Sequence, residues 1–230
     1  MSKKLYQVLN SRLWDTIWII SGIILVVIST ILSSKGHLSL TTVTSFMGSI
    51  IGMTVVLLLA NQTGKLATGL GIIGALLDTF NNYKFGLSGM MLVGIYAFFL
   101  YTKGFLTMGK QIEVTKVTKS NLYISAVIAI GGGLILYFFG STILPANAPT
   151  WVISANILVF IIQVVSQYLM VEGKAIGWVG FCVINIINLF LQTYIIISGN
   201  NPTAVIYLVM TFMFLLNSIK AVVLWFGYGE

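Results

Sequence analysis

Apolar runs close to 20 residues long recur from Leu13 to Phe226, separated by short polar segments. A run of that length crosses the hydrocarbon core as one helix. The pattern predicts about eight helices, at roughly 13–33, 41–60, 66–83, 87–103, 121–141, 151–171, 175–198 and 203–226. The third and fourth are the least sharply marked, because Asn81, Asn82 and Lys84 interrupt one apolar run. The polar stretch Met1–Arg12 precedes a run too long and too rich in tryptophan for a cleaved signal, so that run reads as a retained helix.

Composition agrees. Of 230 residues, 58% are hydrophobic and 7% charged, against about 25% charged in a soluble domain. So few charges could not cover a surface in water, and no polar stretch is long enough for an extramembrane domain. The fold class is an all-α, polytopic membrane protein with the helices packed as one bundle. The formal net charge of +7 sits in short loops, where orientation explains it better than nucleic acid does. With the N-terminus inside, Lys3, Lys4, Arg12, Lys65, Lys103, Lys110, Lys116, Lys119, Lys174 and Lys220 fall at or near the inner ends, and only Lys35 and Lys84 fall outside. The expectation is a multi-pass protein of the cell (inner) membrane, lipid-embedded, with both termini cytoplasmic.

This topology orients helices 2–4 and 6–8 alike, with helix 5 inverting the chain between them. Two parallel triplets of this kind are one of the repeat schemes of transporters. Gly64-Lys65 and Gly71 in the first triplet match Gly173-Lys174 and Gly180 in the second. The domain expectation is an N-terminal helix at 1–40 and a first three-helix bundle at 41–103. A loop with a linking helix follows at 104–145, and a second bundle at 146–230.

Polar groups inside spans are expensive and usually face a bundle interior, a cavity or each other. Trp178, Phe181, Asn185, Asn188 and Gln192 recur at helical spacing on one face. Aromatic planes beside amides suit a flat, uncharged, hydrogen-bonding ligand, since amides donate and accept without a buried charge. Interhelical hydrogen bonding is the alternative use. The sixth helix adds Asn156, Gln163 and Gln167 with Phe160 between them, and the eighth adds Tyr207, Thr211, Phe214 and Asn217. Asp78 is the one acid well inside a span, a candidate ligand contact or proton site unless it lies at the outer interface beside Lys84. Trp151, at a span end, reads as an interfacial anchor. Gly48 and Gly52, and Gly131-Gly132-Gly133, read as close helix packing.

Several chemistries lack support. Gly104 to Gln111 nearly spells a phosphate loop, but Gln111 stands where magnesium needs Ser or Thr, and no strand precedes it. His37 has no partner ligands, and the single Cys182 excludes a disulfide framework or Cys-based metal site. No nucleophile–base or metal constellation supports an enzyme, and no cofactor is expected.

The region from Trp151 to Asn188 resembles the nicotinamide riboside transporter (PnuC) family. The carrying stretches are Ser166-Gln167-Tyr168-Leu169-Met170, a short turn, then Gly177-Trp178-Val179-Gly180-Phe181 and Asn185. The family pattern runs A-Q-x-L-M, a basic turn, E-N-W-x-x-W, and an Asn four residues on. A looser likeness reaches back to about Ser45. Here Ile176 and Gly177 stand where the family has Glu and Asn, Phe181 replaces the second Trp, and Ile72 falls where the first bundle usually has Asn. The resemblance implies two triple-helix bundles joined by a linking helix, as in SWEET-type sugar transporters. It also implies facilitated diffusion of a nucleoside-like vitamin precursor, trapped inside by a cytoplasmic kinase. Related groups look like carriers of deoxynucleosides, thiamine or riboflavin. A substrate-capture subunit needing an ATPase partner is the competing class, and a homo-oligomer is compatible with everything above.

Overall fold

The computed structural model describes residues 3–34, 39–84, 88–143, 149–198 and 204–227. Lys35 and His37 lie outside the described residues, as do half of the uncharged loop Ser141–Thr150 and most of Ser198–Pro202. Among the described residues the chain forms α1 (Lys3–Leu9), α2 (Arg12–Ser34), α3 (Leu40–Ala60), α4 (Gly64–Lys84), α5 (Ser88–Thr107), α6 (Lys119–Ile143), α7 (Thr150–Val171), α8 (Ile176–Ile197) and α9 (Ala204–Trp225). The eight expected helices are present to within a few residues, α5 running one turn past Lys103. The short α1 was not expected, since it occupies the polar N-terminal stretch.

Six helical stretches among the described residues are long and apolar enough to cross a membrane: Arg12–Leu32, Leu40–Ala60, Lys119–Phe138, Thr150–Val171, Ile176–Tyr194 and Leu208–Trp225. α5 carries a shorter apolar stretch, Met91–Thr107. α4 is not among the six, because four glycines, Asp78 and Asn81 dilute its apolar content. The outer surface is apolar: Ile20, Ile24 and Ile31 on α2, Phe138 and the 81% exposed Tyr137 on α6, and Phe190 and Ile197 on α8 all point outward. In water each would forfeit about 25 cal/mol per Å² of exposed apolar area. In lipid that cost vanishes, so the molecule is a multi-pass membrane protein.

Helices α3, α4 and α5 pack on one another in chain order, and so do α7, α8 and α9. The two groups meet along α3–α9 and α5–α7. Across the first seam, Asn217 Nδ2 donates to the Val56 carbonyl at 3.0 Å and Trp225 Nε1 to that of Leu59 at 3.1 Å. Across the second, the Tyr96 hydroxyl donates to the Val164 carbonyl at 2.9 Å. α6 lies on α7 and α5, and α2 on α3 and α9. α2 is held by Trp18 Nε1, which donates to the Met213 carbonyl at 3.0 Å, and by an ion pair from Asp15 to Lys220. Asn61 Nδ2 also donates to Asp15 at 2.8 Å.

Glycines set some of these approaches. A Cβ on Gly180 would lie 1.9 Å from Ser166 Oγ, and one on Gly177 2.8 Å from the Met170 nitrogen and Ser166 carbonyl, so α8 crosses almost against the α7 backbone. Close packing accounts for Gly48, which faces Leu77 and Asp78, and for Gly132, which faces Phe160. It does not account for Gly52, Gly131 or Gly133, where a Cβ would meet nothing within 4 Å.

The segment Met108–Thr118 is an extended strap across the basic end of the bundle. It grips the α3–α4 turn through three backbone bonds: Gly64 N to the Lys110 carbonyl (3.0 Å), Lys65 N to that of Gly109 (3.1 Å) and Ile112 N to that of Gln62 (2.7 Å). It grips the α7–α8 turn through Thr115 N, which donates to the Gly173 carbonyl at 3.0 Å. Lys174, itself buried, adds bonds to Thr115 Oγ1 at 2.6 Å and the Lys116 carbonyl at 3.0 Å. Gly173, at φ +70°, is needed here twice over: L side chains rarely take that backbone conformation, and a Cβ would fall 2.5 Å from the Glu113 carbonyl.

Candidate functional site

α4 and α8 make no close backbone approach to each other among the described residues. Between them lies a cavity of about 310 Å³, bounded by α3, α4, α5, α7, α8 and α9. That volume suits a small ligand (pockets run from about 300 to 1,000 Å³). Its basic end is sealed by a packed cluster that includes Leu59, Ile112, Met170, Ala175, Trp178 and Trp225.

The α8 stripe supplies one wall: Trp178, Phe181, Asn185 and Asn188 all reach the cavity. The Trp178 and Phe181 rings are 5.7 Å apart, tilted by 50°. Asn185 Nδ2 donates to Ser218 Oγ at 3.2 Å, which holds the amide against α9. α7 contributes Gln163 and Gln167, and α9 contributes Phe214, Asn217 and Ser218. Asp78 and Tyr101 enter from the opposite side. Three wall atoms, Trp178 Nε1, Gln167 Oε1 and Asn217 Oδ1, are buried without a hydrogen-bond partner among the described residues. Unpaired buried polar atoms are uncommon, and these three belong to residues that line the cavity.

Of the polar and aromatic residues singled out from sequence, nine border the cavity: Asp78, Gln163, Gln167, Trp178, Phe181, Asn185, Asn188, Phe214 and Asn217; the side chain of Tyr207 lies outside the described residues. Asn156 does not border it. Its Nδ2 donates to the Val152 carbonyl one turn back in its own helix, at 2.8 Å. Gln192 and Thr211 also fall outside the lining, and Phe160 packs in a separate cluster with Val164 and Leu136. Asp78 faces the cavity and is not paired with Lys84, whose ammonium lies 5.7 Å from the Phe80 ring centre. Trp151 stacks edge-on with Tyr194 at 5.0 Å, away from the cavity. Tyr101 and Ser218 were not anticipated. The signal for Tyr101 lies in Gly71, where a Cβ would come within 2.8 Å of its ring.

The fold and the enclosed polar-aromatic cavity define a multi-pass helical membrane protein built around a small-ligand chamber. The family model described as "Nicotinamide mononucleotide transporter" matches residues 42–226, and the chain belongs to that family of transporters. It is therefore a transporter and not an enzyme. Among solved structures it is similar to the crystal structure of the vitamin B3 transporter PnuC, with TM-score 0.63 and 17% identity over 94% of this chain and 92% of that one. At that identity the likeness speaks for the fold. No curated protein sequence matches.

Proposed function

We propose that the protein carries nicotinamide riboside, a vitamin B3 nucleoside, across the cell membrane by facilitated diffusion. The observation that carries this reading is the cavity between the two helix groups, with Trp178 and Phe181 in one wall to meet a planar ring and five amides to meet a carboxamide and ribose. A nucleoside fits this lining better than a nucleotide. No Lys, Arg or His lines the cavity among the described residues, and a phosphate normally finds such a donor. In this reading all eight long helices span the bilayer, both termini are cytoplasmic, and α3–α5 and α7–α9 are parallel repeats with α6 as the link. A cytoplasmic kinase traps the product. Phe181, where the family has Trp, keeps a deoxynucleoside, thiamine or riboflavin as the competing cargo.

The experiment is uptake of labelled nicotinamide riboside into liposomes holding the purified chain alone. Flux should run down the electrochemical gradient of the cationic nucleoside, faster into liposomes held negative inside, and should ignore an imposed proton gradient. Concentrative uptake driven by a pH gradient would refute the passive mechanism. Flux only after adding an ATPase partner would make the chain a capture subunit.

A further inference from the structure

The cavity contains an acid and no counter-charge. Asp78 enters from α4, and no cationic side chain is among the lining residues. Neither salt bridge among the described residues involves it, and no side-chain hydrogen bond reaches it there. Gly48 on α3 is its neighbour across the helix pair, where a Cβ would stand 3.4 Å from Asp78 Oδ1. A carboxylate at membrane depth is costly and normally faces a pathway or a partner. The facing wall carries the Trp178 and Phe181 rings, whose faces attract cations. Carboxylate on one side and aromatic faces on the other are both complementary to positive charge.

We propose that the cavity selects a planar cationic ring, and that Asp78 is the residue that reads the charge. This rests on the carrier reading above and adds a criterion to it. The N-glycosylated nicotinamide ring is a pyridinium and carries one positive charge. Its 1,4-dihydro form has nearly the same outline and none. Amides would accept both forms, the aromatic faces favour the cation modestly, and the carboxylate supplies most of the separation.

The test is a binding titration of both forms against the full-length chain in lipid nanodiscs. Wild type should favour the pyridinium form at least tenfold. Asp78→Asn, checked for monodispersity and thermal stability, should lower that preference about fivefold or more, leaving only what the aromatic faces supply, and Asp78→Glu should retain it. A merely structural role for Asp78 would weaken both forms together and leave their ratio unchanged, which overturns the proposal. Equal binding of the two forms by wild type also overturns it, while leaving the carrier reading standing. Failure of wild type to bind either form would sink the carrier reading, and this inference with it.

Discussion

Asp15→Asn should destabilise the protein much more than Lys220→Met, although both remove the same ion pair. The Lys220 side chain is 0% exposed and that of Asp15 is 26% exposed. In Asp15→Asn the ammonium stays enclosed beneath α2 with no carboxylate beside it. Stranding one partner of a buried pair costs about 3–5 kcal/mol. In Lys220→Met the carboxylate keeps the Asn61 amide at 2.8 Å and some access to water. The loss there is one charge-assisted hydrogen bond, about 1.5–3 kcal/mol. The gap is about 2 kcal/mol, roughly thirtyfold in the unfolding equilibrium. The double variant strands no charge and should be clearly milder than the sum of the singles. Denaturant unfolding of the full chain in mixed micelles, followed by tryptophan emission, measures all three. A Lys220→Met variant as damaging as Asp15→Asn, or strictly additive effects, would refute this reasoning.

Trp178 is 2% exposed and shares a core cluster with Met170 and Trp225, so Trp178→Ala should lose folded protein at a cost of about 3–5 kcal/mol. Reading the residue from sequence alone would treat it as a ligand contact that folding does not need. Trp178→Phe is the informative change, expected to keep the gel-filtration profile and weaken ligand binding about tenfold. Gly180→Ala should cost about 1–3 kcal/mol in melting experiments, because its Cβ would meet Ser166 Oγ; Ser166→Ala in the same chain should recover part of the loss. Gly71→Ala should push the Tyr101 ring toward the cavity and lower ligand affinity more than stability, as binding and melting curves on one sample would show. In a Cys182→Ala background, a cysteine at Thr115 should react with impermeant reagent from the cytoplasmic side only and one at Thr150 from the outside only; the reverse would invert the topology.

Helix positions were legible because an apolar run near 20 residues has few alternatives to a membrane-length helix. α1 was not, since seven residues in a polar stretch carry too little periodicity. The α8 stripe was readable because four aromatic and amide side chains fall on one face, and that face turns inward. Asn156 has the same sequence signature, yet its amide returns to its own backbone, a choice decided by the local surroundings. Gly52 looked like half of a packing motif and instead borders the cavity, where a Cβ would meet nothing within 4 Å. Tyr101 depends on which face of α5 meets Gly71, and no spacing within α5 reveals that. The strap was invisible for a related reason: Thr115 and Lys174 are 59 residues apart, and an extended segment has no hydrophobic period to betray its partners.

The strap also determines what any opening of the basic end must do with water. Parting the α3–α4 turn from the α7–α8 turn breaks one of its two sets of bonds. If the second set breaks, the Lys174 ammonium loses Thr115 Oγ1 and the Lys116 carbonyl together. An ammonium cannot be left bare in that packed region, so solvent must arrive as the bonds leave. Along that route separation of the halves and wetting of the mouth are one event, and a dry crack can open only where the strap leaves the α3–α4 turn and stays on Lys174.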